Sequence, residues 1–163
     1  MRILAAFLIP AALVAQAPAW DGNFVFDPAR SDDVAAVVKT FTDPMNFAVR
    51  LVWRKKLESS EKPPQNLSLL KGSNLTLGVN KEVPFTAGPG NPAKWKRADG
   101  ESFLVSFEER GDALSLVFAQ DDVKRTWKLG LDAEGRVLTV EVTLENPKLP
   151  GPLRYRLQYR KAG

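Results

Sequence analysis

The sequence contains neither histidine nor cysteine. Without a thiol there is no cysteine nucleophile and no disulfide. Without an imidazole there is no Ser-His-Asp or Cys-His arrangement, no zinc site built on His or Cys, and no histidine-ligated haem. Any chemistry would rest on Asp, Glu, Lys, Arg or Tyr. No catalytic residue, metal site or cofactor is assigned on this reading. A strong charge imbalance is lacking as well. The chain has 23 basic and 19 acidic residues, a net charge of +4 to which Arg2 contributes one. That balance is too mild and too evenly spread for a nucleic-acid partner. Beyond the first residues there is no apolar run long enough to span a membrane, so stable membrane insertion is not expected.

The one long apolar run stands at the start. MRILAAFLIPAALVAQAPA has Arg2 as a positive n-region, Ile3 to Val14 as an apolar h-region, and Ala15-Gln16-Ala17 as a small-residue cleavage site, with cleavage after Ala19 as the alternative. Residues 1–19 are therefore expected to be a signal peptide, and the protein to be exported to the periplasm of a bacterium or outside the cell. Residues 20–163 form one ordinary domain. A domain of that size buries a core without staples, which fits an exported chain free of cysteine.

Trp20 to Asp27 reads as a strand with Phe24 and Phe26 on one face, ended by Pro28. A helical insertion spans about 31–57. Ser31 or Asp32 caps its first helix, and Val34, Val37, Val38 and Phe41 form the apolar stripe. Asp43-Pro44 reads as an N-cap followed by proline at the first position of a second helix. Val49 to Trp53, rich in β-branched and aromatic residues, also suits a strand. Ser59 to Gln65 (SSEKPPQ) reads as a linker. After it come strands joined by turns: 66–70 with 75–80, 82–85, 94–98 with 101–109, then 113–120, 123–131, 136–144 and 153–160. Asp99-Gly100 is a strong hairpin signal, and 86–92 (TAGPGNP) reads as a loop. Each later strand alternates with period two. Phe103, Val105 and Phe107 share a side, as do Leu114, Leu116 and Phe118. Val123, Trp127, Leu129 and Leu131 share another, followed by Leu138 to Leu144 and by Leu153, Tyr155, Leu157 and Tyr159. One dry and one wet face mark an antiparallel meander. So many strands hide their edges by closing. The expected fold is mostly β: an antiparallel up-and-down β-barrel of 8–10 strands with a short helix-turn-helix lid between the first and second.

The order of elements resembles the calycin superfamily: lipocalins and, more closely, fatty-acid-binding proteins. The stretches DGNFVFDPARSDDV, DPMNF, DAEGRVLTVEV and LPGPLRYRLQYRK also resemble an uncharacterised group of secreted bacterial lipocalin-like proteins, over nearly the whole mature chain. The resemblance to fatty-acid-binding proteins implies an Arg-x-Tyr in the last strand that holds a carboxylate. Matching Tyr159 to that tyrosine puts Leu157 where the arginine belongs, so this headgroup site is missing. The Gly-x-Trp of lipocalins is echoed only by Gly22-Asn23-Phe24.

Arg125 falls on the apolar side of its strand, between Val123 and Trp127. A charge there needs a partner. It is either a headgroup contact for a ligand or a strand-end residue that reaches water or an acid. Arg50, on the second helix, poses the same choice. Trp53, Trp127, Tyr155 and Tyr159, with Phe103, Phe107 and Phe118, either line a ligand cavity or fill the barrel. The acid pairs Asp32-Asp33, Glu108-Glu109 and Asp121-Asp122 read as caps and solvated turns. Arg54-Lys55-Lys56 reads as a solvated helix end, with contact to an anionic membrane as the alternative.

Three functions are compatible with these features. The first is an exported binding protein that holds a small hydrophobic molecule in a barrel cavity, oriented by Arg125 and Tyr155. The second is a filled barrel that acts as an envelope-structure or protein-interaction module through its edges or loops 86–93 and 146–152. The third is an enzyme independent of His and Cys.

Overall fold

The computed structural model describes residues 19–163, and the expected signal peptide lies outside the described residues except for Ala19. Ten strands form one antiparallel sheet: β1 (Gly22–Phe26), β2 (Asn66–Lys71), β3 (Leu75–Val79), β4 (Phe85–Ala87), β5 (Ala93–Lys96), β6 (Ser102–Arg110), β7 (Ala113–Gln120), β8 (Val123–Leu131), β9 (Val137–Glu145) and β10 (Leu153–Lys161). Their order in space is β4-β3-β2-β1-β10-β9-β8-β7-β6-β5. The meander thus closes by pairing its first strand with its last, with Phe24 opposite Lys161 and Phe26 opposite Tyr159. The two outer strands of this order, β4 and β5, abut but share no ladder, which leaves a seam in a nearly closed barrel.

The period-two pattern decides which side chains fill the interior. Neighbouring strands place Phe118 opposite Arg125, Arg125 opposite Leu144, and Leu144 opposite Leu153. One row further in, Leu116, Trp127, Val142 and Tyr155 face one another in the same way. Phe24, Leu116, Leu129, Leu138 and Tyr159 are fully buried. Burying a Leu or Phe contributes about 1.5–3 kcal/mol each, so this inner face dominates the stability of the barrel.

Between β1 and β2 run a 3-10 turn (Pro28–Arg30) and two helices, α1 (Val34–Thr42) and α2 (Phe47–Ser60). Asp33 caps α1 by accepting from the Ala36 N–H at 3.2 Å. Its neighbour Asp32 ties the segment to β10 by accepting from the Arg156 N–H at 2.6 Å. Val34 and Val38 of α1 and Leu57 of α2 belong to the same core as the barrel strands.

Helix α2 starts three residues later than the Asp43-Pro44 signal indicates. Asn46 is the cap, accepting from the Val49 N–H at 3.0 Å. The Asp43 N–H still bonds back to Lys39, continuing α1, and its carboxylate is occupied by Arg54 at 2.7 Å. The helix also runs further than expected, to Ser60, and takes in Val49–Trp53, which settles the alternative of a strand there. The expected strand at 82–85 is displaced to β4, since Pro84 has no N–H to donate and pairing begins at Phe85.

The β8–β9 hairpin depends on one side chain. Asp132 Oδ1 accepts from the N–H of Arg136 at 2.6 Å and of Val137 at 3.0 Å. The Val137 bond, then that of Arg136, holds the carboxyl below its ordinary pKa. Asp132→Ala is expected to cost about 0.5–1 kcal/mol at neutral pH, a value reduced by the site's exposure. Because the folded pKa is the lower one, this contribution is present above the unfolded Asp value of about 3.9 and is lost as pH falls through the folded value. Urea denaturation of both proteins should converge towards that acidic range.

Candidate functional site

The site is built where the end of α2 meets the inner wall of the barrel. Glu61 caps the C-terminus of α2, its N–H bonding to the Leu57 carbonyl at 2.8 Å. Leu57 and Glu61 are one helical turn apart and point the same way, into the protein. The Glu61 side chain is 0 % exposed. There it meets Arg125, whose Nη2 donates to Oε1 and whose Nε donates to Oε2 at 3.3 Å. Tyr155 Oη donates to Oε2 at 2.9 Å.

Both carboxylate oxygens therefore have donors. Burial opposes the charge on Arg125, yet the adjoining Glu61 carboxylate outweighs it and the guanidinium pKa is raised. The Tyr155 phenol is pushed well above its usual value, first by burial and next by the negative charge of Glu61. Burial does the same to Tyr159.

A cavity of about 90 Å³ opens beside this triad. Its apolar wall includes Val79, Trp95, Phe118, Trp127 and Leu157, and Lys62, Glu82 and Arg97 are among its polar lining. Phe85, Trp95, Phe118 and Trp127 stack in sequence behind it, with ring centroids 5.0–5.8 Å apart from Trp95 to Phe118 to Trp127 and 5.2 Å apart for Phe85 and Trp95. The Trp127 indole Nε1 is buried on this wall without a hydrogen-bond partner. On the outer side of Glu61 lies an open cleft formed by Phe26, Pro28, Val34, Ala35, Glu58 and Pro63 together with charged residues of the same segments. Glu61 lines both the cavity and the cleft.

No protein-family model matches the sequence, and no curated protein does. Solved structures do match. Fatty-acid-binding protein 1 of Echinococcus granulosus superposes with a TM-score of 0.58 at 11 % identity, over 87 % of this chain and 96 % of that one. A secretary abundant heat soluble (SAHS) protein of Ramazzottius varieornatus gives 0.62 at 10 % identity, over 90 % and 98 %. A Schistosoma mansoni fatty acid binding protein, in complex with arachidonic acid, gives 0.54 at 13 % identity, over 88 % and 96 %. The fold is a calycin-like barrel. At these identities the likeness is one of architecture.

Four of the nine residues singled out in the sequence line the inner cavity of this calycin-like barrel: Arg125, Trp127, Tyr155 and Phe118. The others do not reach it. Phe103 packs against Trp95 with ring centroids 6.0 Å apart, and Phe107 is buried in the core. Tyr159 lies against Phe26, 5.6 Å between centroids, with its hydroxyl unpartnered. Trp53 is half-buried on α2 beneath the Lys56 ammonium, 5.2 Å from its ring centre.

Arg50 turns to the helix pair instead, over the Phe47 ring and donating to the Asp43 carbonyl at 3.3 Å. Within the basic cluster, Arg54 is occupied by Asp43 and by Thr42 Oγ1 at 3.1 Å. The acid pairs divide their tasks: Asp33 caps α1, Glu108 pairs with Arg110, and Glu109 pairs with Lys71. Glu61 is the residue that sequence reasoning missed, because SSEKPPQ reads as a solvated linker.

Proposed function

We propose that this barrel binds a small hydrophobic molecule between its aromatic wall and the end of α2. The observation that carries the reading is the cavity at Trp95, Phe118 and Trp127, with a few convergent polar groups at one side. Apolar walls with sparse, fixed polar groups are how small-molecule sites are built. Two of the solved structures that share the architecture carry fatty-acid-binding names, which agrees with this use of the barrel. The cavity at about 90 Å³ is smaller than a typical ligand site of roughly 300 Å³ or more. Binding therefore involves movement of the aromatic wall or of α2. We further propose that residues 1–19 are an export signal and that the mature protein acts outside the cytoplasm. The first residue of the mature exported protein tests that.

The binding test is a titration with N-phenyl-1-naphthylamine, an uncharged apolar fluorophore. The expected result is saturable binding at one site in the micromolar range, accompanied by quenching of tryptophan emission. Val79→Phe, which fills part of the cavity, should weaken binding by about tenfold. No saturable binding would favour the second reading, a filled barrel used as an interaction module. The tight stacking of Phe85, Trp95, Phe118 and Trp127 inside the barrel supports that reading. An enzymatic role has no comparable support in the geometry.

A further inference from the structure

We propose that Glu61 is a built-in carboxylate ligand of Arg125 and Tyr155, so that the barrel accepts uncharged molecules and rejects acidic ones. This rests on the ligand-binding reading and specifies the class of ligand. Arg125 presents its guanidinium to the interior as a two-donor fork, the geometry that recognises a carboxylate. Tyr155 adds a third donor from β10. A ligand carboxylate arriving in this corner would find those donors in use. It would also lie beside the buried Glu61 charge, and like charges at that range in a desolvated site oppose each other strongly.

The carboxylate that fills the corner does not come from the barrel. It is carried by the residue that caps the end of α2, just before the segment that leads into β2. Glu61, like Lys62, lines both the inner cavity and the outer cleft. Withdrawing it would expose Arg125 and join the two spaces. Arg97, the other guanidinium in the lining, is likewise held, by Asp99 and Glu101, which leaves Lys62 as the remaining cation there, on the side shared with the outer cleft. The assigned ligand class is thus an uncharged apolar molecule.

The test compares 11-(dansylamino)undecanoic acid with its methyl ester on the mature protein, read by dansyl fluorescence. Wild type should bind the ester at least about tenfold more tightly than the acid. Glu61→Gln, which keeps the shape and removes the charge, should strengthen acid binding by about tenfold or more and leave the ester within a factor of about two. Equal binding of acid and ester by wild type, or an acid-to-ester ratio unchanged in Glu61→Gln, overturns the proposal. Binding of neither probe by wild type removes the ligand reading, and the selectivity with it.

A separate measurement isolates the role of Glu61 from that failure. Octanoate should raise the melting temperature of Glu61→Ala while leaving wild type unchanged, whereas any rise caused by octanol should be the same in both proteins. Absence of rescue shows that Glu61 does not stand in for a free carboxylate. Should Glu61→Ala fail to fold, Glu61→Gln serves in the same melting experiment.

Discussion

Arg125→Met lowers the stability of the barrel by about 3–5 kcal/mol at neutral pH, the usual cost of removing one partner from a buried ion pair. The large value follows from the geometry. The Glu61 side chain is 0 % exposed and that of Arg125 only 16 % exposed, so neither charge can turn to water instead. Methionine matches the aliphatic stem between Phe118 and Leu144 but leaves the Glu61 carboxylate buried with only the Tyr155 and Ser60 hydroxyls as side-chain donors and no balancing charge. Removing all three groups together, as Glu61→Leu, Arg125→Met and Tyr155→Phe, should recover most of the loss, because an apolar cluster has no unpaired charge to desolvate. Urea denaturation of the single and combined variants decides this. A triple variant as unstable as Arg125→Met would show that the triad shapes the lid through something other than charge balance.

Alkaline pH should destabilise the fold through its two tyrosines. Tyr155 and Tyr159 are the only tyrosines in the sequence, and both have raised pKa values, chiefly through burial. The sign follows from proton counting. Above about pH 10 the unfolded chain releases both phenol protons while the folded chain keeps them. The tyrosine contribution is therefore complete below that pH and is lost as pH rises towards the folded values. Each tyrosine contributes a slope of about 1.4 kcal/mol per pH unit, so one unit above pH 10 removes roughly 2–3 kcal/mol from the pair. Denaturation at several alkaline pH values measures the slope, and phenolate absorbance of the folded protein should stay low over the same range. Tyr159→Phe should halve the slope. At neutral pH it should be neutral or slightly stabilising, since the Tyr159 hydroxyl has no hydrogen-bond partner to lose.

The barrel was legible in the sequence because alternation leaves little freedom. A strand such as Leu138 to Leu144 has one apolar side, and only one facing buries it. Closure followed from the number of strands whose edges need covering. Less legible was what the helices do. Asp43-Pro44 carries the local signal for a helix start, but a tertiary contact to Arg54 claims the aspartate and Asn46 takes over the cap. The site was half visible. Arg125 on a dry face called for a ligand, water or an acid to meet its charge without saying which. Sequence offered a faint pointer to Glu61, four residues beyond Leu57 and hence on the same helical side, but Pro63 and Pro64 disguised the segment as linker. Locating the partner required bringing residues 61 and 125 together, which local pattern does not encode.

The seam between β4 and β5 gives the barrel a direction of compliance. Widening any other neighbouring pair of strands would break a ladder of backbone hydrogen bonds, whereas these two share only the Gly88–Asn91 bridge in the turn that joins them and are otherwise held by side chains. Among those ties are the Trp95 indole on the Val83 carbonyl at 3.1 Å and the Glu82 carboxylate on the Ala98 N–H at 2.7 Å. Phe85 and Trp95 stand on either bank and touch each other across it. The wall can therefore dilate at the place where its aromatic lining is densest, and relax again, while the remaining strands keep their register.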